Sequence, residues 1–155
     1  AVLRGMGSEQ LVNVGRPGPK MAPENVIMIG VRDLDGEEKR LLANSGCTVF
    51  TMRDVDELGM HAVLRKALKK LEHIPNIHLS LDMDAMDPQE APGVGTPSPG
   101  GLTYREAQLI METLCDSGKL QSADVMEANP ILDTQNKTAQ VAVSLMASLF
   151  GKSII

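Results

Sequence analysis

Four short apolar runs, VIMIG at 26–30, CTVFT at 47–51, IHLSLDM at 77–83 and LQSADVME at 120–127, are separated by stretches long enough for a helix and never by a hairpin-length turn. Strands joined in this way must lie parallel, because a parallel neighbour is reached only through a crossover of a dozen or so residues. The intervening stretches read as helices. GEEKRLLANSG (36–46) has acids in its first turn and Gly46 to end it. Asp54 can cap the next helix, in which Met60, Leu64, Leu68 and Leu71 recur at helical spacing opposite a solvated Arg65, Lys66, Lys69 and Lys70. Thr103 and Glu106 form a T-x-x-E capping box ahead of Ala107, Ile110, Met111 and Leu114. A last helix over 136–150 carries Ala142, Leu145, Met146 and Leu149 on one side and stops at Gly151. Residues 1–25, rich in Gly and Pro, are expected to form a loop, 26–151 the alternating strands and helices, and 152–155 a tail. The predicted fold is therefore a single α/β unit over 1–155: an open, mostly parallel sheet with helices on both faces.

Composition narrows the function classes. A net charge of −5 and an aromatic content of 2% leave no basic, stacking surface for nucleic acid. No apolar run approaches the roughly 20 residues that span a bilayer, and a cytoplasmic location is expected. Cys47 and Cys115 show neither a CxxC nor a Cys/His spacing, so no zinc site or disulfide framework is signalled, and both read as buried thiols. Ten methionines against two Phe, one Tyr and no Trp read as flexible core filler.

In open α/β sheets ligands bind beyond the carboxyl ends of the strands. Acids mark three of the four ends: Asp33 and Asp35 in RDLD, Asp82 and Asp84 in SLDMDAMDP, and Glu127 in MEANP. Residues i and i+2 of an extended segment point the same way, about 7 Å apart, so Asp82 and Asp84 project into one space while Met83 turns back to the core. Two carboxylates sharing a site are protonated, solvated or bridged by a cation, and hard oxygen donors suit Mg, Ca or Mn. The alternative is an Asp-rich turn whose side chains cap local amides. The 19-residue Gly/Pro-rich loop from Asp84 to Leu102 is longer than most connections in a compact domain, as functional loops tend to be. An EF-hand fails on spacing, and GVGTPSPGG lacks the pattern of a phosphate loop. His78 shares the parity of Asp82 but lies about 13 Å back along the strand. It and His61 and His73 are expected to be structural or exposed.

SLDMDAMDP, APGVGTPSPGG, LTYREA and MEANPILD, in this order and spacing, resemble the C-terminal half of arginases within the ureohydrolase superfamily, over about residues 1–151. The resemblance implies the second half of the arginase-type three-layer fold and manganese-dependent hydrolysis of L-arginine to L-ornithine and urea. By position, Asp82 and Asp84 match ligands of a two-Mn2+ centre. Glu127, helped by Thr96, matches the carboxylate that holds the guanidinium. Asp35 matches the acid that meets the α-amino group, with Glu38 a weaker match because GEE stands where Pro-Gly-Glu is usual. The resemblance further implies a homo-oligomer, trimer or hexamer, when complete. The resemblance places the remaining ligands in upstream GGDH and D-A-H-x-D segments and the proton-shuttle histidine just after them, none of which this sequence contains. The chain is accordingly expected to be a fragment or one half of a complex, inactive alone. Two other readings stay open: an agmatinase or other ureohydrolase, which RDLD disfavours, and a non-catalytic α/β association module.

Overall fold

The computed structural model describes residues 1–153; Ile154 and Ile155, the end of the predicted tail, lie outside the described residues. The expected N-terminal loop is mostly irregular, but it contains 3-10 turns at Val2–Arg4 and Pro23–Asn25 and one short helix, α1 (Glu9–Val12). The Lys20 ammonium closes this segment by donating to the carbonyls of Val12, Arg16 and Gly18.

The regular part follows the predicted order: β1 (Ile27–Val31), α2 (Gly36–Ala43), β2 (Thr48–Thr51), α3 (Met52–Leu58), α4 (Met60–Lys70), β3 (Ile77–Asp82), α5 (Tyr104–Asp116), β4 (Leu120–Met126) and α6 (Lys137–Leu149). The strands are parallel, as the crossover lengths require. Among the described residues they hydrogen-bond as two pairs, β1 with β2 and β3 with β4, so the open sheet is divided between its second and third strands in chain order. Ile29 lies opposite Phe50, and Asp82 opposite Met126. Gly30 interrupts the first ladder with a positive φ of 89°, and a Cβ there would stand 3.3 Å from Leu102 Cγ, so the bulge doubles as a close-packing point against the long loop.

One correction concerns the helix expected after β2. Asp54 is the third residue of α3, and the cap is Thr51, whose side chain accepts from the Asp54 amide while the Asp54 carboxylate accepts from the Thr51 amide and hydroxyl. The helix also breaks at Gly59 (φ 77°, ψ 146°) and restarts as α4. A residue with a Cβ rarely adopts that conformation. The Thr103–Glu106 box at the start of α5 forms as predicted.

A single apolar cluster joins the two strand pairs. Met60, Val63, Leu64 and Ala67 of α4 meet Leu81 and Met83, with Ala107, Ile110, Met111 and Leu114 of α5 and Leu145 and Leu149 of α6. Met83, Met86 and Met111 are among the most deeply buried side chains, so these methionines act as core filler, each worth about 1.5–3 kcal/mol of burial. Both cysteines are only partly buried. Among the described residues no helix is long and apolar enough to cross a membrane.

Candidate functional site

Asp82 ends β3, and the chain then drives Met83 into the core and closes a 3-10 turn over Met83–Ala85. Asp82 Oδ1 accepts a 3.2 Å hydrogen bond from the Asp84 amide, so the local capping of an Asp-rich turn is present at this residue. Asp84 is engaged differently. Its Oδ2 accepts from the Thr96 hydroxyl at 2.6 Å, across the long loop.

The loop is held at both ends. At its base Asp87 N donates to Leu102 O (2.9 Å) and Leu102 N to Ala85 O (2.9 Å). The third aspartate of the motif staples this base: Asp87 accepts from Gln89 N (2.9 Å) and Gly100 N (2.8 Å), and these backbone bonds, Gln89 first, hold its carboxyl below the usual range. Gly101 is required there, since a Cβ would fall 2.5 Å from the Met86 carbonyl carbon. At the tip Val94 bridges to Ala128 and Asn129 N donates to Gly93 O at 2.8 Å. Thr138 at the start of α6 accepts from Gly93 N at 2.7 Å, and the Asp133 carboxylate accepts from Thr134, Thr138 and Ala139 amides.

This stitching brings the segment after β4 against the loop tip. Glu127 leaves the strand with φ 62°, a left-handed conformation unusual for a side chain of its size, and its Oε2 lies 4.0 Å from where a Cβ on Gly95 would stand. Asp82, Asp84, Thr96 and Glu127 are thereby gathered at the ends of β3 and β4. The crowding has an electrostatic signature: burial, and then the neighbouring Asp84 and Glu127 carboxylates, push Asp82 up to about 6 against the bond from the Asp84 amide. Among the described residues no group of three or more His, Cys, Asp or Glu is placed to hold a metal ion. The donor chemistry suits a hard divalent cation, but the chain presents only part of a coordination shell.

Asp35 and Glu38 bond to the start of their own helix and not to these carboxylates. Asp35 caps α2, its Oδ1 accepting from Glu37 N and Glu38 N at 2.8 Å, while Glu38 Oε2 accepts from Asp35 N at 3.0 Å. Both are exposed at the carboxyl end of β1, together with Asp33. The histidines are exposed, as expected. His78 bonds to Ser122 Oγ (2.8 Å) and Asp124 Oδ2 (3.0 Å), and Ser80 Oγ donates to Asp124 Oδ1 (2.7 Å); Ser80, then His78, keep Asp124 below the ordinary carboxylate range.

Arg32 is the residue that sequence patterns missed. Its guanidinium donates to five backbone carbonyls: Nη2 to Ser98 (2.6 Å), Asp84 (2.8 Å) and Met86 (3.2 Å), Nη1 to Ala85 (3.3 Å), and Nε to Ser98 (3.1 Å) and Pro99 (3.3 Å).

A sequence model of the Arginase family matches residues 13–151. The arginase of Bacillus subtilis is 49% identical over all 155 residues, which span 52% of that protein. Its crystal structure superposes with a TM-score of 0.96 over 99% of this chain and 54% of the other. Entamoeba histolytica arginase, solved in complex with L-ornithine, superposes at 0.89 with 30% identity over 97% of this chain and 50% of its own. A hypothetical agmatinase from Burkholderia thailandensis superposes at 0.71 with 29% identity over 84% of this chain and 38% of its own. The chain thus spans about half the length of the curated relatives it matches.

Proposed function

The chain belongs to the arginase family, and on that footing we propose that it supplies one half of a manganese-dependent site that hydrolyses L-arginine to L-ornithine and urea. The observation that carries this reading is the gathering of Asp82, Asp84 and Glu127 at adjacent strand ends, where burial first, and then the two neighbouring carboxylates, push Asp82 up to about 6. Negative charge crowded in this way favours a divalent ion beside a cationic substrate. Asp82 and Asp84 would hold Mn2+, which when bound supplies Lewis acidity and an activated water.

The chain's own residues do the positioning. The Thr96 hydroxyl fixes the rotation of the Asp84 carboxylate. Glu127 offers two oxygens to a planar guanidinium, a geometry that favours bidentate recognition. Its strained backbone aims that carboxylate at the loop tip. Asp35, whose capping bonds both use Oδ1, has Oδ2 left to meet the α-amino group, with Glu38 holding the cap closed. The remaining metal ligands and the proton-shuttling histidine of this reading are not among these residues; on this reading the chain is inactive alone and works within a cytoplasmic homo-oligomer.

Fusing this chain to the N-terminal half of Bacillus subtilis arginase tests the reading directly. Mn2+-dependent urea release from arginine, with little from agmatine, is the expected result; preference for agmatine would move the assignment to a sister ureohydrolase. A fusion whose halves associate without Mn2+ yet releases no urea from either would leave the association-module reading.

A further inference from the structure

We propose that Arg32 is a positioning residue that sets the place of the Asp84–Thr96 pair, by clamping both limbs of the 84–102 loop to the end of β1. Three observations converge on it. The guanidinium reaches carbonyls on the outgoing limb (Asp84, Ala85, Met86) and on the returning limb (Ser98, Pro99) at once. One of those carbonyls belongs to Asp84 itself, and Ser98 lies two residues beyond Thr96, so the backbones of both partners in the 2.6 Å Thr96–Asp84 bond are anchored near one cation. Among the described residues no backbone ladder joins β1–β2 to β3–β4, which leaves Arg32 as a polar tie between the strand that leads to Asp35 and the loop that leads to Asp84 and Thr96.

The residue type follows from the task. A guanidinium is a rigid planar fork with five N–H donors, able to address several carbonyls in fixed directions, whereas an ammonium is a single point with three donors. Arg32 also forms no ion pair among the described residues. Its charge is met by carbonyl dipoles, so the carboxylates nearby are not consumed by it.

The inference rests on the proposed metal and substrate roles, but its first test does not. In the 155-residue chain, hydrogen exchange of wild type and Arg32→Lys is compared amide by amide. Exchange of the Asp87, Gly100 and Leu102 amides is expected to rise about tenfold or more while the α4 and α5 amides keep their protection. Unchanged loop exchange, a uniform rise across the chain, or failure of Arg32→Lys to fold would each overturn the proposal, because the arginine would then be dispensable or merely structural. In the fusion with the Bacillus subtilis half, Arg32→Lys should weaken Mn2+ binding about 10- to 100-fold, the usual effect of losing a partner that orients a ligand. It should also raise KM for arginine more than it lowers kcat, since Asp35 would lose its register with Asp84. Equal kcat and KM with unchanged Mn2+ affinity would overturn the positioning role. An unsubstituted fusion without activity would sink the hydrolase reading and leave the exchange result standing.

Discussion

At the scale of single residues the informative feature is a carboxyl group in the wrong protonation range. Burial first, and then the Asp84 and Glu127 charges, disfavour the Asp82 anion and push its carboxyl up from an ordinary 3.8 to about 6. Between those two pH values the folded chain keeps a proton that the unfolded chain has released. Metal-free stability is therefore expected to fall as pH rises from about 4 through about 6, and Asp82→Asn should flatten that slope. Mn2+ needs the ionised carboxylate, so its affinity should drop as pH is lowered through about 6. Thermal melts of both variants across this range, with and without Mn2+, check the sign; a wild-type slope no steeper than that of Asp82→Asn would show that the folded chain does not hold a proton on Asp82. Strand parity pointed to Asp82 and Asp84 as neighbours, but Asp84 lies in the 3-10 turn that follows β3, so a turn and not an extended strand brings the two together. The left-handed backbone at Glu127 was not legible in sequence, since nothing in MEANP marks a glutamate for φ 62°. Arg32 was hidden for a different reason: its partners are main-chain carbonyls 52 to 67 positions away, and a carbonyl leaves no trace in residue identity.

At the scale of elements the local devices were readable and the interruptions were not. Thr103 and Glu106 announce the start of α5 because a capping box is closed within four residues. Thr51 and Asp54 make the same kind of box, yet Thr51 also ends β2, and a residue that closes a strand while opening a helix is easily assigned only to the strand. The break between α3 and α4 depends on Gly59, whose φ of 77° and ψ of 146° only glycine tolerates readily. A Cβ added there meets nothing within 4 Å, so the cost of Gly59→Ala is backbone strain without a clash. The substitution should destabilise the chain by about 1–3 kcal/mol, read from the midpoint of urea unfolding. A neutral result would mean that α3 and α4 can fuse into one helix without loss.

At the scale of the whole molecule the hydrogen-bonded sheet and the apolar core give different partitions. The ladders divide the strands into two pairs, whereas the core runs through both, from Phe50 and Val55 beside the first pair to Leu81, Met111 and Leu145 around the second. Cooperativity follows the core, because burial supplies most of the stabilisation. Urea unfolding should accordingly be a single transition, with far-UV circular dichroism and Tyr104 fluorescence coincident. Two separated transitions would show that β1, β2 and α3 form an independent unit. The division between the pairs could not be read from 155 letters, since strand parity and crossover length determine direction but not which edges meet. Among the described residues no further strand pairs with either sheet, and an open edge is the ordinary means by which a sheet accepts another strand.

The closure of the long loop at base and tip reaches further than its geometry. Because Asp87, Gly101, Val94 and Thr138 hold that loop in shape by protein contacts alone, an ion taken up in the proposed role would find Asp82 and Asp84 already in place. Uptake would then be paced by how fast the hydrated cation sheds water, and hardly at all by the chain searching for a conformation.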